Sequence, residues 1–200
     1  MKRKAYDGVY NRYIKRGIDF CLALIGLVIA AIPMAIVAIA IKAESKGPVI
    51  FKQDRIGYKG KVYKMYKFRS MCVGAEKGGV YSDNKDSRVT KVGKFIRATS
   101  IDELPQLFNI LKGDMSLVGP RPERPFFVEK FREEIPRYMV KHQVRPGLTG
   151  WAQVNGYRGD TSIRKRIECD LYYIENWSVG FDIKIMFLTI FKGFINKNAY

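Results

Sequence analysis

Two adjacent acidic residues, Asp102 and Glu103, lie in the segment SIDELPQL (100–107) of a chain that is otherwise rich in lysine and arginine. A serine three residues before a glutamate is typical of a capping box, in which Ser100 would accept a hydrogen bond from the backbone N–H of Glu103 and the acids would only start a helix. Adjacent carboxylates beside a helix N-terminus also suit the binding of phosphate and a divalent cation. The spacing alone permits both interpretations.

Four basic residues in the middle of the chain could bind phosphate near these acids. Arg121 lies in GDMSLVGPRPE (113–123), where two glycines and two prolines would stiffen the loop and present the guanidinium for bidentate contact. Lys67, Arg69 and Arg97 add positive charge in the same region. A solvated basic surface would have the same composition, so the sequence leaves both alternatives open.

A second candidate segment, RPGLTGWAQVNG (145–156), combines glycines, a tryptophan and two side-chain amides. Such a loop could hold a nucleotide base or a sugar through stacking and amide hydrogen bonds. A tightly turned connector would have the same composition. The candidate binding residues in it are Gly147, Thr149, Gly150, Trp151, Gln153 and Asn155.

The composition limits the class of protein. A length of 200 residues suits one domain, and 36 Lys and Arg against 19 Asp and Glu give a net charge of +17, which favours anionic partners. Cys21, Cys72 and Cys169 are odd in number and far apart, and His142 is the single histidine. We therefore expect neither a disulfide framework nor a zinc site. We expect the protein to lie in a reducing compartment.

The residues from 20 to 41, FCLALIGLVIAAIPMAIVAIAI, form an uncharged stretch of membrane-helix length. The stretch is longer than the apolar region of a signal peptide and lacks a cleavage site, so we expect it to be retained. Pro33 should break the helix, and basic residues flank both ends, whereas a simple span has its excess on one side. These features predict a segment that enters the membrane, turns near Pro33 and leaves on the cytoplasmic face; a kinked full span is the alternative. The flanking residues are Lys2, Arg3, Lys4, Arg12, Lys15 and Arg16 before the stretch, and Lys42, Lys46, Lys52 and Arg55 after it.

The remaining patterns predict an α+β fold that is mostly helical, with a small β-hairpin and amphipathic interfacial helices. We divide it into a membrane segment, 1–48, and a catalytic domain, 49–200. Within the domain we expect a hairpin of strands 49–53 and 62–68, and a polar loop at 72–90. Helices are expected at 91–96, 104–111, 125–141 and 163–177, and residues 179–195 suit either an interfacial helix or an ordinary core helix.

Four segments in this order resemble the bacterial sugar transferase family, the small monotopic phosphoglycosyl transferases: 55–71, 93–123, 144–157 and 170–178. The resemblance covers residues 10 to 195. One departure lies at the membrane break, where several family members have Ser-Pro and this chain has Ile32-Pro33. The proline that forces the break is present, but the serine that would support it is not.

The resemblance implies transfer of a sugar 1-phosphate from a UDP-sugar to polyprenol (undecaprenyl) phosphate, with release of UMP, at the cytoplasmic face of the bacterial inner membrane. It implies that Asp102 is a covalent nucleophile, that Glu103 lies beside it, and that Mg²⁺ binds at this pair. Arg97 and Arg121 become the leading phosphate ligands, with Lys67 and Arg69 as weaker candidates. We also expect contact with anionic membrane lipid, a homodimer as one assembly, and no nucleic acid partner.

Two other readings predict no catalysis. One is a membrane-anchored basic module that binds nucleic acid or anionic lipid, as the charge of +17 suggests. The other is an inactive family member that serves as a scaffold. The first leaves the two acids unexplained, and the second would have been favoured by their loss.

Overall fold

A 36-residue helix, α1 (Val9–Glu44), begins the described part of the chain. The computed structural model describes residues 9–75, 86–159 and 161–193. The basic residues predicted at 2–4, part of the polar loop and the end of the last predicted helix lie outside these ranges. The helix continues through Pro33, so the predicted separation into two helices is not observed. A proline removes one donor from the helical ladder, and a long helix can accommodate it by bending.

One side of α1 packs against the rest of the protein on both sides of the proline. Before it, Ala23 and Leu27 share a core with Leu107. After it, Val37 and Ile41 share a second core with Ile96. The opposite side carries large apolar side chains that are 54–74% exposed, namely Ile25, Val28, Ile29, Ile32, Ile36 and Ile39. The helix is long and apolar enough to cross a membrane, yet it contacts one domain along its length.

The predicted hairpin is confirmed by the antiparallel pair β1 (Ile50–Ile56) and β2 (Val62–Phe68). Helices α2 (Lys91–Ala98) and α3 (Gln106–Lys112) follow. A second, parallel pair was not predicted because its strands, β3 (Ser116–Val118) and β4 (Gly147–Thr149), have only three residues each. Patterns of alternation need longer runs to be recognised.

The remaining elements are the helices α4 (Pro125–Glu134), α5 (Trp151–Val154), α6 (Ile163–Glu175) and α7 (Val179–Gly193). Helix α4 is shorter than predicted because Ile135, which precedes a proline, is extended. Short 3-10 turns lie at Tyr58–Gly60, Ile101–Glu103 and Tyr138–Gln143. A core cluster of Val118, Tyr173, Trp177 and Ile185 joins β3, α6 and α7.

Candidate active site

The two acids lie in the 3-10 turn Ile101–Glu103, between α2 and α3. Ser100 before them has a left-handed backbone (φ 56°, ψ 14°), whereas an N-cap residue needs an extended one. The N–H of Glu103 donates to the backbone carbonyl of Ser100 at 3.1 Å instead of to its hydroxyl. The predicted capping box is therefore wrong, and α3 begins only at Gln106.

Glu103 is held by two cations. Its Oε1 accepts hydrogen bonds from Lys67 Nζ and Arg121 Nη2, each at 2.7 Å. The side chain is buried, which alone would raise the pKa of the carboxyl, but the charges of Arg121 and Lys67 outweigh burial and hold that pKa well below its usual range. Glu103 is thus an ionised anchor for the two basic groups.

Asp102 is equally buried but less well paired. Its Oδ2 lies 3.7 Å from Lys67 Nζ, and its Oδ1 has no hydrogen-bond partner within the described ranges. Burial raises the pKa of the Asp102 carboxyl; Lys67 opposes this shift, and the neighbouring charge of Glu103 adds to it. Asp102 therefore keeps a carboxylate oxygen to which no described residue donates.

The cations come from two different elements. Lys67 lies on β2, opposite Phe51 of β1, and Arg121 lies on the loop after β3. This loop is set by a close crossing of backbones: the N–H of Gly119 donates to the carbonyl of Thr149 at 2.9 Å, and a Cβ atom at Gly147 would lie 2.1 Å from the nitrogen of Gly119. Glycine at position 147 is therefore required by packing.

Two further arginines, which sequence reasoning did not select for this site, hold the same loop. Arg55 Nη1 donates to the carbonyl of Pro122 at 2.9 Å, and Arg166 Nη1 donates to Glu123 Oε1 at 2.9 Å. These contacts fix the two residues that follow Arg121. Glu123 is visible in the sequence next to GPRP, but Arg166 lies 43 positions away, and no spacing connects the two.

The other two predicted phosphate ligands have different surroundings. Arg97 on α2 donates from Nε to Ser70 Oγ at 2.8 Å and lies near enough to Asp102 for its charge to lower the pKa of that carboxyl. Arg69 instead closes the C-terminus of α1. It donates to the carbonyls of Ser45 and Lys46 at 2.8 Å and to that of Ile41 at 3.4 Å, which makes it a cap at the end of α1, and its role as a phosphate ligand stays a prediction.

The predicted nucleotide loop is largely built into the domain. Trp151 packs against Phe181 with ring centroids 5.0 Å apart, and Thr149 Oγ1 hydrogen-bonds with Thr189 Oγ1 at 2.7 Å. The amides also bond to nearby backbone, Gln153 to Leu148 O at 3.1 Å and Asn155 to Trp151 O at 2.7 Å. At Gly150, a Cβ atom would lie 2.2 Å from the carbonyl oxygen of Gly119. These contacts favour the connector alternative for this segment.

The pair of acids Asp102 and Glu103, called the dyad below, is suited to bind a divalent cation through one carboxylate. Across the described ranges no group of three or more His, Cys, Asp or Glu side chains is assembled for a metal. Magnesium, however, is often bound by one or two carboxylates together with substrate phosphates. The unpartnered Oδ1 of Asp102 suits this arrangement, whereas Oε1 of Glu103 is already bonded to two cations.

Comparison with known proteins gives a consistent result. A model of the family described as bacterial sugar transferase matches residues 10–196. The chain is 52% identical over 195 residues to the UDP-glucose:undecaprenyl-phosphate glucose-1-phosphate transferase of Escherichia coli, covering 95% of this chain and 42% of that protein. It is 51% identical over 181 residues to the UDP-N-acetylgalactosamine-undecaprenyl-phosphate N-acetylgalactosaminephosphotransferase of Aeromonas hydrophila, covering 89% of this chain and 43% of that protein. The chain thus spans about two fifths of the length of these relatives.

Proposed function

This chain belongs to the bacterial sugar transferase family, and we propose that it transfers a sugar 1-phosphate from a UDP-sugar to a polyprenol phosphate, releasing UMP. The proposal rests on the different surroundings of the two carboxylates, Asp102 and Glu103. Glu103 is fixed by Lys67 and Arg121, while Asp102 keeps a buried carboxylate oxygen that is unpartnered within the described ranges.

The proposed reaction has two steps at Asp102. First, a carboxylate oxygen of Asp102 attacks the β-phosphorus of the UDP-sugar, the bond from that phosphorus to the bridging oxygen breaks, and UMP leaves with the bridging oxygen. This gives an acyl phosphate that carries the sugar. An oxygen of the polyprenol phosphate then attacks the same phosphorus, the acyl phosphate bond breaks, and the carboxylate of Asp102 is restored.

Basic side chains would stabilise the charge that develops in both steps. Arg121 is held against Glu103, its loop is fixed by Arg55 and Arg166, and Lys67 lies between the two acids. Phosphoryl transfer depends mainly on positioning and on neutralising the phosphate oxygens, which this cluster supports. Mg²⁺, held by Asp102 and the diphosphate, would supply further neutralisation when bound.

We further propose that α1 bends at Pro33 without a break in the helix and so enters and leaves the membrane on the cytoplasmic face. Its two halves both pack on the catalytic domain, through Ala23 on one side of Pro33 and Val37 on the other. A full span would have to place about 30 Å of helix in hydrocarbon, away from the domain. The contacts on both sides of Pro33 therefore favour re-entry over the kinked full span.

The decisive experiment omits the acceptor. The purified chain is incubated with Mg²⁺ and a panel of UDP-sugars labelled in the sugar, including UDP-glucose and UDP-N-acetylgalactosamine. We expect UMP release up to one equivalent and a labelled protein, with label passing to polyprenol phosphate on its addition. If UMP appears only when both substrates are present and no protein is labelled, a direct displacement replaces the two-step scheme.

The same assay separates the alternatives. A non-catalytic basic module would bind anionic vesicles in a salt-dependent way and release no UMP. An inactive scaffold would release none with any UDP-sugar of the panel. The sugar that gives the fastest labelling identifies the donor.

A further inference from the structure

A cavity of about 180 Å³ lies beside β3, between α1 and α7. Its walls include Ile18 and Leu22 of α1, Leu117 and Val118 of β3, and Ile183 and Met186 of α7. Leu22 and Ile183 are exposed on the outer surface and form part of its rim. An apolar cavity of about 150 Å³ is large enough to hold a benzene molecule, so this one has room for a branched hydrocarbon unit.

Two of the three charged residues that border the cavity, Lys15 and Asp182, form an ion pair, and the third, Asp19, accepts from the backbone. Asp182 accepts from Lys15 Nζ at 2.5 Å, from the hydroxyl of Tyr173 at 2.7 Å and from the indole of Trp177 at 3.0 Å. Asp19 Oδ1 accepts from the N–H of Leu117 at 3.0 Å. Lys15, the cation of this lining, is thus committed to Asp182 and leaves the cavity suited to hydrocarbon rather than to phosphate.

The position of the cavity connects lipid with the dyad. Its rim lies between α1 and α7, whose outer sides expose large apolar residues such as Ile25 and Phe187. Val118, which lies in the wall of the cavity, is three residues before Arg121. The Cα atoms of these two residues are therefore at most about 11 Å apart. Arg121 in turn bonds to Glu103. A chain with its phosphate at the dyad could therefore reach the cavity within a few repeat units.

We propose that this cavity binds an isoprene segment of the acceptor's polyprenol chain, close to the phosphate. This inference rests on the proposed function and adds a tail-binding site to it. An acyl chain of a phospholipid has similar chemistry, but its phosphate is not required at the dyad, so the short backbone distance between Arg121 and the cavity wall favours the prenyl chain. Binding here would hold the acceptor phosphate in register with Asp102.

Two isoleucines on α7 give a matched test. Ile183 lines the cavity and is 57% exposed, and Ile190, two helical turns further on the same side, is 60% exposed and is not among the residues that line it. Ile183→Trp should block the rim and raise the KM for long-chain polyprenol phosphate about tenfold, the effect of losing burial for a few carbons. It should also reduce the preference of the wild type for long over two-unit acceptors. Ile190→Trp should keep both wild-type values.

The outcomes separate the two proposals. If the wild type transfers sugar phosphate but both variants give the same KM and chain-length preference as it does, the cavity proposal is wrong and the proposed function stands. If the wild type transfers to no polyprenol phosphate, the proposed function itself fails.

Photolabelling then identifies the source of the hydrocarbon. A polyprenol phosphate with a diazirine in its first isoprene units should label peptides of β3 or α7, and unlabelled polyprenol phosphate should compete. A phosphatidylglycerol with a diazirine in its acyl chain should label the outer side of α1 and leave the β3 peptide unlabelled. Labelling of β3 by the phospholipid that polyprenol phosphate does not displace would overturn the proposal.

Discussion

Asp102 and Glu103 are neighbours in the chain and are 3% and 6% exposed, but their carboxylates have opposite surroundings. Glu103 Oε1 has two cationic donors at 2.7 Å, while Asp102 Oδ1 has none among the residues described by the structure. The pKa of Glu103 is held low and that of Asp102 is raised. Equal burial therefore gives one acid that is fixed by two cations and one acid whose Oδ1 has no hydrogen-bond partner among the described residues.

Replacing the two acids by their amides should have different effects. Asp102→Asn removes the attacking carboxylate, so labelling of the protein by UDP-sugar should fall by at least about a thousandfold with little change in stability. Glu103→Gln should leave labelling detectable but lower the unfolding free energy by about 2 kcal/mol, less than for a fully buried pair because Arg121 is partly exposed. Labelling and thermal unfolding measure these effects.

Asp54→Asn is the control for this pair, because Asp54 forms an exposed ion pair with Lys64 on the hairpin. It should resemble the wild type in both measurements. If Asp102→Asn is labelled to the same extent as the wild type, Asp102 is not the nucleophile.

The labelling step should depend on the ionisation of Asp102. Burial raises the pKa of this carboxyl above 3.8, and the attacking form is the carboxylate, so the rate should be full above the folded-state pKa and lost as pH falls through it. Arg97 lowers that pKa, so Arg97→Gln should move the acidic limb to higher pH. Arg132→Gln, on the exposed surface of α4, should leave the limb unmoved. An identical limb in Arg97→Gln and the wild type would show that another group controls the step.

Replacing Arg121 and Arg69 by lysine should have different effects. Arg121→Lys keeps the charge but loses the planar fork, so the kcat/KM for UDP-sugar should fall about tenfold to a hundredfold. Arg69→Lys removes donors to the end of α1 and should lower stability by about 2 kcal/mol with an unchanged KM for UDP-sugar. Steady-state kinetics and thermal unfolding of both proteins provide the comparison. A raised KM in Arg69→Lys without loss of stability would return Arg69 to the phosphate site.

The topology of α1 can be tested with single cysteines in a protein whose Cys21, Cys72 and Cys169 are replaced. Tyr13 and Lys46 are exposed near the two ends of the segment, and Lys130 on α4 marks the side of the catalytic domain. With re-entry, cysteines at all three positions should react with an impermeant maleimide in inside-out vesicles and be protected in intact cells. Labelling of position 13 from the opposite side to position 130 would establish the full span.

Local sequence predicted the hairpin, because residues 62–68 have the β-like composition of its second strand. It offered Asp102 and Arg121 as candidates, but the choice of Asp102 as the nucleophile came from the family resemblance and stays a prediction. Local sequence failed at Ser100, because this residue has a left-handed backbone in the turn between α2 and α3, which differs from the extended geometry of an N-cap. It could not assign Arg69 either, because the carbonyls that Arg69 caps become available only where α1 ends beside β2.

The packing of α1 has a consequence for how this protein is made. Residues on both sides of Pro33 complete cores that also contain Met65, Leu107, Phe68 and Ile96. A fragment that starts at residue 49 would expose those cores to water and should aggregate instead of giving a soluble enzyme. With α1 in the membrane as proposed, insertion of the helix and folding of the candidate site would occur together, and a detergent that separates α1 from the domain would also disrupt the site.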